Sequence, residues 1–131
     1  GAKVVLGGIH PTVLPEEAIA HCDCVVIGEA EGCWSELLDD FKHNRLKKFY
    51  RSFNFDLAKF PFPKLNHNHT PFHVTPILST RGCPYNCEFC SVTDLYGKKL
   101  RHRKVQDIVK EIATRGSRKF FFLDSVFEKG F

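Results

Sequence analysis

The feature that most constrains this chain is an alternation of short apolar runs with amphipathic helical patterns, which occurs twice with an aperiodic stretch between. Lys3 to Leu6 is a β-branched run closed by Gly7 and Gly8, and it reads as a buried strand entering a tight loop. Pro15 suits a first helical position, Glu16 and Glu17 complement the positive helix end, and Ala18 and Ile19 supply an apolar side. Cys24 to Ile27 is a second apolar strand ended by Gly28, after which Trp34, Leu37, Leu38 and Phe41 recur at i, i+3, i+4 and i+7. Neighbouring strands joined through helices run parallel, because a parallel pair needs a crossover connection, so the expected class is α/β. Lys47 to Ser52 is a further candidate strand.

From Phe53 to Phe72 the period is lost and Pro61, Pro63 and Pro71 gather with Asn66, His67, Asn68 and His69. This reads as a linker whose several Phe residues lay it along a protein surface, since a free tether is poorer in aromatics. Strand character resumes at His73 to Ser79, and a helix is predicted where Val105, Ile108, Val109 and Ile112 repeat the same spacing, with Gly116 as its stop. Lys119 to Leu123 is a compact strand running to Asp124 and Ser125. Although 131 residues match the usual size of one domain, the pattern divides into parts of two: 1–52, a linker over 53–73, and 74–131. The start at Gly1 in a chain without Met accords either with removal of an initiator Met or with an internal cut from a longer protein.

A composition of 43% hydrophobic and 26% charged residues excludes a wholly disordered or collagenous chain. The longest apolar runs, such as Phe120 to Leu123, fall far short of the roughly 18 residues that span a bilayer. The N-terminus has no secretory pattern, so a reducing, cytoplasmic setting is expected. A net charge of +4 is too weak to imply nucleic acid. The basic residues nevertheless concentrate at Lys98, Lys99, Arg101, Arg103 and Lys104, read either as a solvated helix entrance or as an attraction for an anionic ligand.

Six cysteines fall into two groups, Cys22, Cys24 and Cys33, then Cys83, Cys87 and Cys90. The first group flanks a strand and opens a helix, which favours ordinary core thiols over a zinc site with His21. The second is C-x3-C-x2-C directly after a predicted strand, with Gly82 and Pro84 shaping the backbone so that three thiolates can converge. Soft thiolates select zinc, copper or iron–sulfur clusters. A closed zinc site or a fully ligated cluster needs four protein ligands, and no Cys follows Cys90. On a cubane cluster three ligands leave one iron open to a substrate or cofactor.

The string Ser79-Thr80-Arg81-Gly82-Cys83-Pro84-Tyr85-Asn86-Cys87-Glu88-Phe89-Cys90-Ser91 resembles the cluster loop of the radical S-adenosylmethionine (radical SAM) superfamily. That resemblance implies that Cys83, Cys87 and Cys90 hold a 4Fe-4S cluster whose open iron chelates S-adenosylmethionine, with Phe89 against the adenine. One electron then breaks a C–S bond, giving methionine and a 5′-deoxyadenosyl radical that abstracts hydrogen from a small-molecule substrate; flavodoxin or ferredoxin would be the electron donor. Phe120 to Phe127 resembles the second barrel strand of these enzymes, which places Asp124 and Ser125 near the amino group of S-adenosylmethionine. Arg101 and Arg103 match the basic stretch before the first barrel helix.

Gly7-Gly8-Ile9-His10-Pro11-Thr12, with Pro15-Glu16-Glu17 and Gly28-Glu29-Ala30-Glu31, resembles the end of the cobalamin-binding domain that precedes the barrel in one large radical SAM class. Gly7, Gly8 and Gly28 would there approach the nucleotide tail of the cofactor, at the carboxyl ends of parallel strands. Ala30 departs from the usual Gly, and His10, in the Gly-Gly loop, reads as a surface residue rather than a cobalt ligand. The expected architecture is thus the C-terminal part of a Rossmann-like cobalamin-binding domain followed by the first β-α-β of a radical SAM partial barrel. Two rivals are a radical SAM methylthiotransferase acting on tRNA and a non-enzymatic zinc or iron–sulfur module completed by His67, His69 or an early cysteine.

Overall fold

Strands with no polar residue on either side need cover on both faces, and β2 (Cys24–Gly28) receives it as the middle strand of a parallel sheet. The computed structural model describes residues 1–63, 74–115 and 119–127. They belong to two units, Gly1–Phe55 and Asp56–Phe131. In the first, β1 (Val5–Leu6) and β3 (Phe49–Ser52) flank β2, with Val5 opposite Cys24 and Val26 opposite Tyr50. Helices α1 (Ile9–Val13) and α2 (Pro15–Ile19) connect β1 to β2, and a 3-10 turn with α3 (Trp34–Lys42) connects β2 to β3. Alternate β2 residues serve opposite cores. Cys24 and Val26 pack with Cys33, Leu37 and Tyr50, whereas Val25 and Ile27 pack with Ala18.

Two details differ from the sequence expectation. The Gly-Gly segment leads directly into α1, because Gly8 takes a φ of 99° that only glycine adopts without strain, and Pro11 is tolerated within the first helical turn. His10 therefore lies on a helix rather than in a loop, exposed, with Nε2 3.1 Å from Glu17 Oε1. The apolar stripe of α3 is also narrower than its spacing predicts. Leu37 is buried, but Trp34, Leu38 and Phe41 are exposed.

The second unit is built on β4 (Val74–Ile77), which pairs in parallel with a later strand after a long excursion. Thr80–Arg81 form β5, the cysteine loop leads to α4 (Val92–Tyr96), and β6 (Arg101–His102) returns antiparallel to β5. Helix α5 (Val105–Thr114) then crosses to β7 (Lys119–Phe122), whose Phe122 lies opposite Ile77. The right period put α5 in the right place, with Ile108 buried, but Val105 and Val109 face outward. Helix α4 and β6 were not anticipated, being too short to show a period. Pro71, Asn66, His67, Asn68, His69 and Gly116 lie outside the described residues. Both units are mixed α/β with parallel strand pairs, the coarse class expected. Among the described residues, no helix is long and apolar enough to cross a membrane.

The first unit closes on one carboxylate. Asp40, buried on α3, accepts from Arg45 Nε at 2.6 Å and from the Tyr50 hydroxyl at 2.8 Å, and Lys47 Nζ stands 3.4 Å away. The Arg45 hydrogen bond first, then Tyr50, lowers its carboxyl from 3.8 to about 2. Asp23, hydrogen-bonded by Lys3 and the Val4 amide, is lowered too. A carboxylate depressed by folding stabilises above its unfolded value and loses that contribution as pH falls through the folded one. Stability of this unit is therefore expected to decline between about pH 4 and pH 2. Asp40→Asn should lower stability at neutral pH and flatten that decline, as read by chemical denaturation across the acid range.

Candidate cluster-binding site

A strand that turns into a loop leaves amides with no ladder partner, and the corner after β4 supplies one for each. Leu123 N donates to the Ile77 carbonyl at 2.8 Å, ending the parallel ladder. One residue later the Asp124 carboxylate accepts from the amides of Ser79 and Thr80, each at 2.8 Å, and from the Ser79 hydroxyl. The Thr80 hydroxyl reaches the Val126 carbonyl. Asp124, partly buried, thus binds the corner at the base of the cysteine loop, the turn or cap role open to a strand-end Asp. Ser125, beside it, is exposed.

Arg103 holds the same corner from the other side. Its Nη1 donates to the Leu78 carbonyl at 2.8 Å, its amide donates to the Ser79 carbonyl at 2.9 Å, and its Nη2 donates to Glu111 Oε2 at 2.7 Å. The Arg103 and Glu111 side chains are each only 2% exposed, and Arg115 completes the group with 2.9 Å to Glu111 Oε1. The basic run is consequently not one solvated face. Lys98, Lys99 and Lys104 are exposed, Arg101 is partly buried with its Nη2 on the Tyr96 carbonyl, and Arg103 is a buried structural cation. The sequence reading missed its buried partner, for which the only signal was the place of Glu111 at i+3 from Ile108 on the apolar face, with Arg115 at i+4.

Between β5 and α4 lie the three cysteines. Gly82 takes a φ of 92°, and a Cβ there would strike the carbonyl oxygens of Lys99 and Gly97, so the loop enters its turn through a position only glycine fills. Cys83 is buried and its amide donates to the Gly97 carbonyl at 3.2 Å, while the Cys90 amide donates to the Cys87 carbonyl at 3.1 Å. Cys87 is exposed, Cys90 is partly buried, and Phe89 between them is 93% exposed. All three thiols are free, on one loop, and their chemistry suits a soft metal or an iron–sulfur cluster. Among the described residues no group of three or more His, Cys, Asp or Glu side chains converges as a metal site.

At the carboxyl edge of the first unit's sheet, Thr12 joins the two glycine segments, donating from Oγ1 to the Gly8 carbonyl at 2.7 Å and accepting from the Gly28 amide at 3.0 Å. A Cβ on Gly28 would collide with the Ser52 carbonyl and the Phe53 ring, so packing within the protein demands this glycine. A Cβ on Gly8 would meet open space, and one on Gly7 would make ordinary contact with Val26. The early cysteines are core thiols. Burial pushes Cys24 up to about 11 and raises Cys33, and Cys22 Sγ lies 3.3 Å from the Ala18 carbonyl.

No protein-family model matches the chain. It is 39% identical over 131 residues to the bacteriochlorophyllide d C-8(2)-methyltransferase of Chlorobaculum tepidum, an alignment covering 93% of this chain and 29% of that protein. The bacteriochlorophyllide d C-12(1)-methyltransferase of the same organism is 34% identical over 137 residues, covering 95% and 30%. An uncharacterized methyltransferase of Pyrococcus horikoshii is 29% identical over 155 residues, covering 95% and 33%. The chain thus spans about a third of the length of the curated relatives it matches. These relatives support an enzyme, and a relationship to the radical SAM family that the cysteine loop resembles.

Thiol chemistry reports this geometry directly. With a mass-tagged alkylating reagent at pH 8, the cluster-free chain should be labelled first at Cys87 and last at Cys24 and Cys33, since burial keeps the latter two as thiols. Removing one member of a buried ion pair strands the other charge, so Glu111→Ala should destabilise the second unit by about 3–5 kcal/mol in denaturant titration. Glu17→Ala, at an exposed pair, should leave stability unchanged.

Proposed function

We propose that this chain supplies the cluster-binding part of a radical SAM enzyme of the cobalamin-dependent methyltransferase type. The observation that carries the reading is the placing of Cys83, Cys87 and Cys90 on one glycine-entered loop beyond a pinned strand corner, in a chain related to proteins named methyltransferases. Three thiolates suit a 4Fe-4S cluster with one iron left to S-adenosylmethionine. When bound, the cluster supplies the electron that cleaves the cofactor's C–S bond.

The chain's own residues hold and orient. Cys83, buried at the base of the loop, and Cys87 and Cys90 further along it would be the three ligands. Phe89 offers an exposed ring for the adenine, and Ser125 an exposed hydroxyl at the end of β7. Asp124 keeps its carboxylate on Ser79 and Thr80 and so acts on the site through the loop's base. In this reading residues 1–52 end a cobalamin-binding domain, 53–73 connect, and 74–131 begin the barrel. The open approach at Gly8, at the carboxyl edge of parallel strands, supports a cobalamin tail there. A small-molecule methyl acceptor and a flavodoxin or ferredoxin donor complete the system.

Anaerobic reconstitution of the full chain with iron and sulfide tests this. The expected result is a brown protein whose reduced electron paramagnetic resonance signal changes on adding S-adenosylmethionine. A stoichiometric, colourless zinc site, or a cluster indifferent to S-adenosylmethionine, contradicts it.

A further inference from the structure

The segment 56–63, expected to be linker, is fastened along the second unit by cations. The Asp56 carboxylate accepts from the Ala58 amide at 3.0 Å and starts a 3-10 turn at Leu57–Lys59, whose Leu57 is buried. Beyond it, Phe60 meets two guanidinium groups, with Arg103 Cζ 4.9 Å and Arg81 Cζ 5.4 Å from its ring centroid. Phe62 lies near Arg103 and Lys110, and the Pro63 carbonyl accepts from Arg115. A cation over an aromatic face is attracted by the ring's negative quadrupole, and the attraction strengthens when both are partly removed from water.

The position of these contacts matters more than their number. Arg81 is two residues before Cys83, and its guanidinium also stands 5.8 Å from the ring of Tyr96, which ends α4 beyond the cysteine loop. Phe60, Arg81 and Tyr96 therefore tie the strap to both ends of the cysteine loop. Arg103, the second cation on Phe60, is the one that holds the Leu78 carbonyl at the corner.

We propose that Phe60 is a positioning residue for the cysteine loop, setting the seating of Cys83 through Arg81. The proposal rests on the reading above only for what the loop holds; the seating itself is a property of the cluster-free chain. Phe60→Leu removes the ring but keeps an apolar side chain, and Phe60→Tyr keeps the ring.

Alkylation of Cys83 in the full cluster-free chain is the measurement. Phe60→Leu should speed it roughly fivefold by removing the ring that faces Arg81 and Arg103, while Phe60→Tyr restores the parent rate. Amide exchange along α5 and labelling of Cys24 should not change, which separates positioning from general loosening. On reconstitution Phe60→Leu should take up less iron per chain than Phe60→Tyr. Should Phe60→Leu lose its folded signal, Arg81→Gln, which leaves Leu57, Phe60 and the Phe60–Arg103 contact in place, should also speed Cys83 labelling. Parent-like Cys83 labelling in the folded variant, or equal acceleration across α5, overturns the proposal. Failure of the parent chain to bind a cluster would instead overturn the functional reading and leave the labelling result standing.

Discussion

A carboxylate that accepts from two successive backbone amides fixes the chain direction at that point, and Asp124 does this for Ser79 and Thr80. Buried amides left without a partner each carry a desolvation penalty, so a strand can leave its ladder inside a protein only where something takes those bonds. Here the acceptor comes from the end of the neighbouring parallel strand. The Arg103 guanidinium, held by Glu111, takes the Leu78 carbonyl from the opposite side. Every residue of the cysteine loop is displayed from this corner.

The two units solve the same problem with different physics. In Gly1–Phe55 a middle strand with both faces covered is held mainly by apolar packing, and polar groups such as Asp40 and Tyr50 close its margin. In Asp56–Phe131 much of the holding is ionic. Arg103 and Glu111 are buried together with the partly buried Arg115 beside them, and Phe60 lies against two guanidinium groups. Buried ion groups are weak sources of stability but strict about geometry, because a misplaced partner leaves a stranded charge. That trade fixes the base of the loop while its tip, with Cys87 and Phe89, lies in solvent.

Periodicity made the long elements legible: the β2 run, α3, α5 and β7 all lie where apolar spacing put them. It failed for α1, α4 and β6, elements of five residues or fewer whose formation depends on Gly8, Gly97 and pairing with β5 rather than on their own pattern. The cysteine motif was visible because spacing alone encodes it. Its support was not. Asp124 and Ser79 are 45 positions apart and Arg115 and Pro63 are 52 apart, separations at which no local pattern signals a partner. A run of basic residues likewise conceals that Arg103 is buried while Lys104, its neighbour, is exposed.

Mössbauer spectroscopy of the full chain reconstituted with iron-57 addresses the central claim most directly, because it distinguishes irons by their ligands. Three cysteine thiolates on a cubane cluster predict that one iron of four departs from the others when S-adenosylmethionine is added. Four equivalent irons with and without S-adenosylmethionine would show a fully ligated cluster and contradict the account.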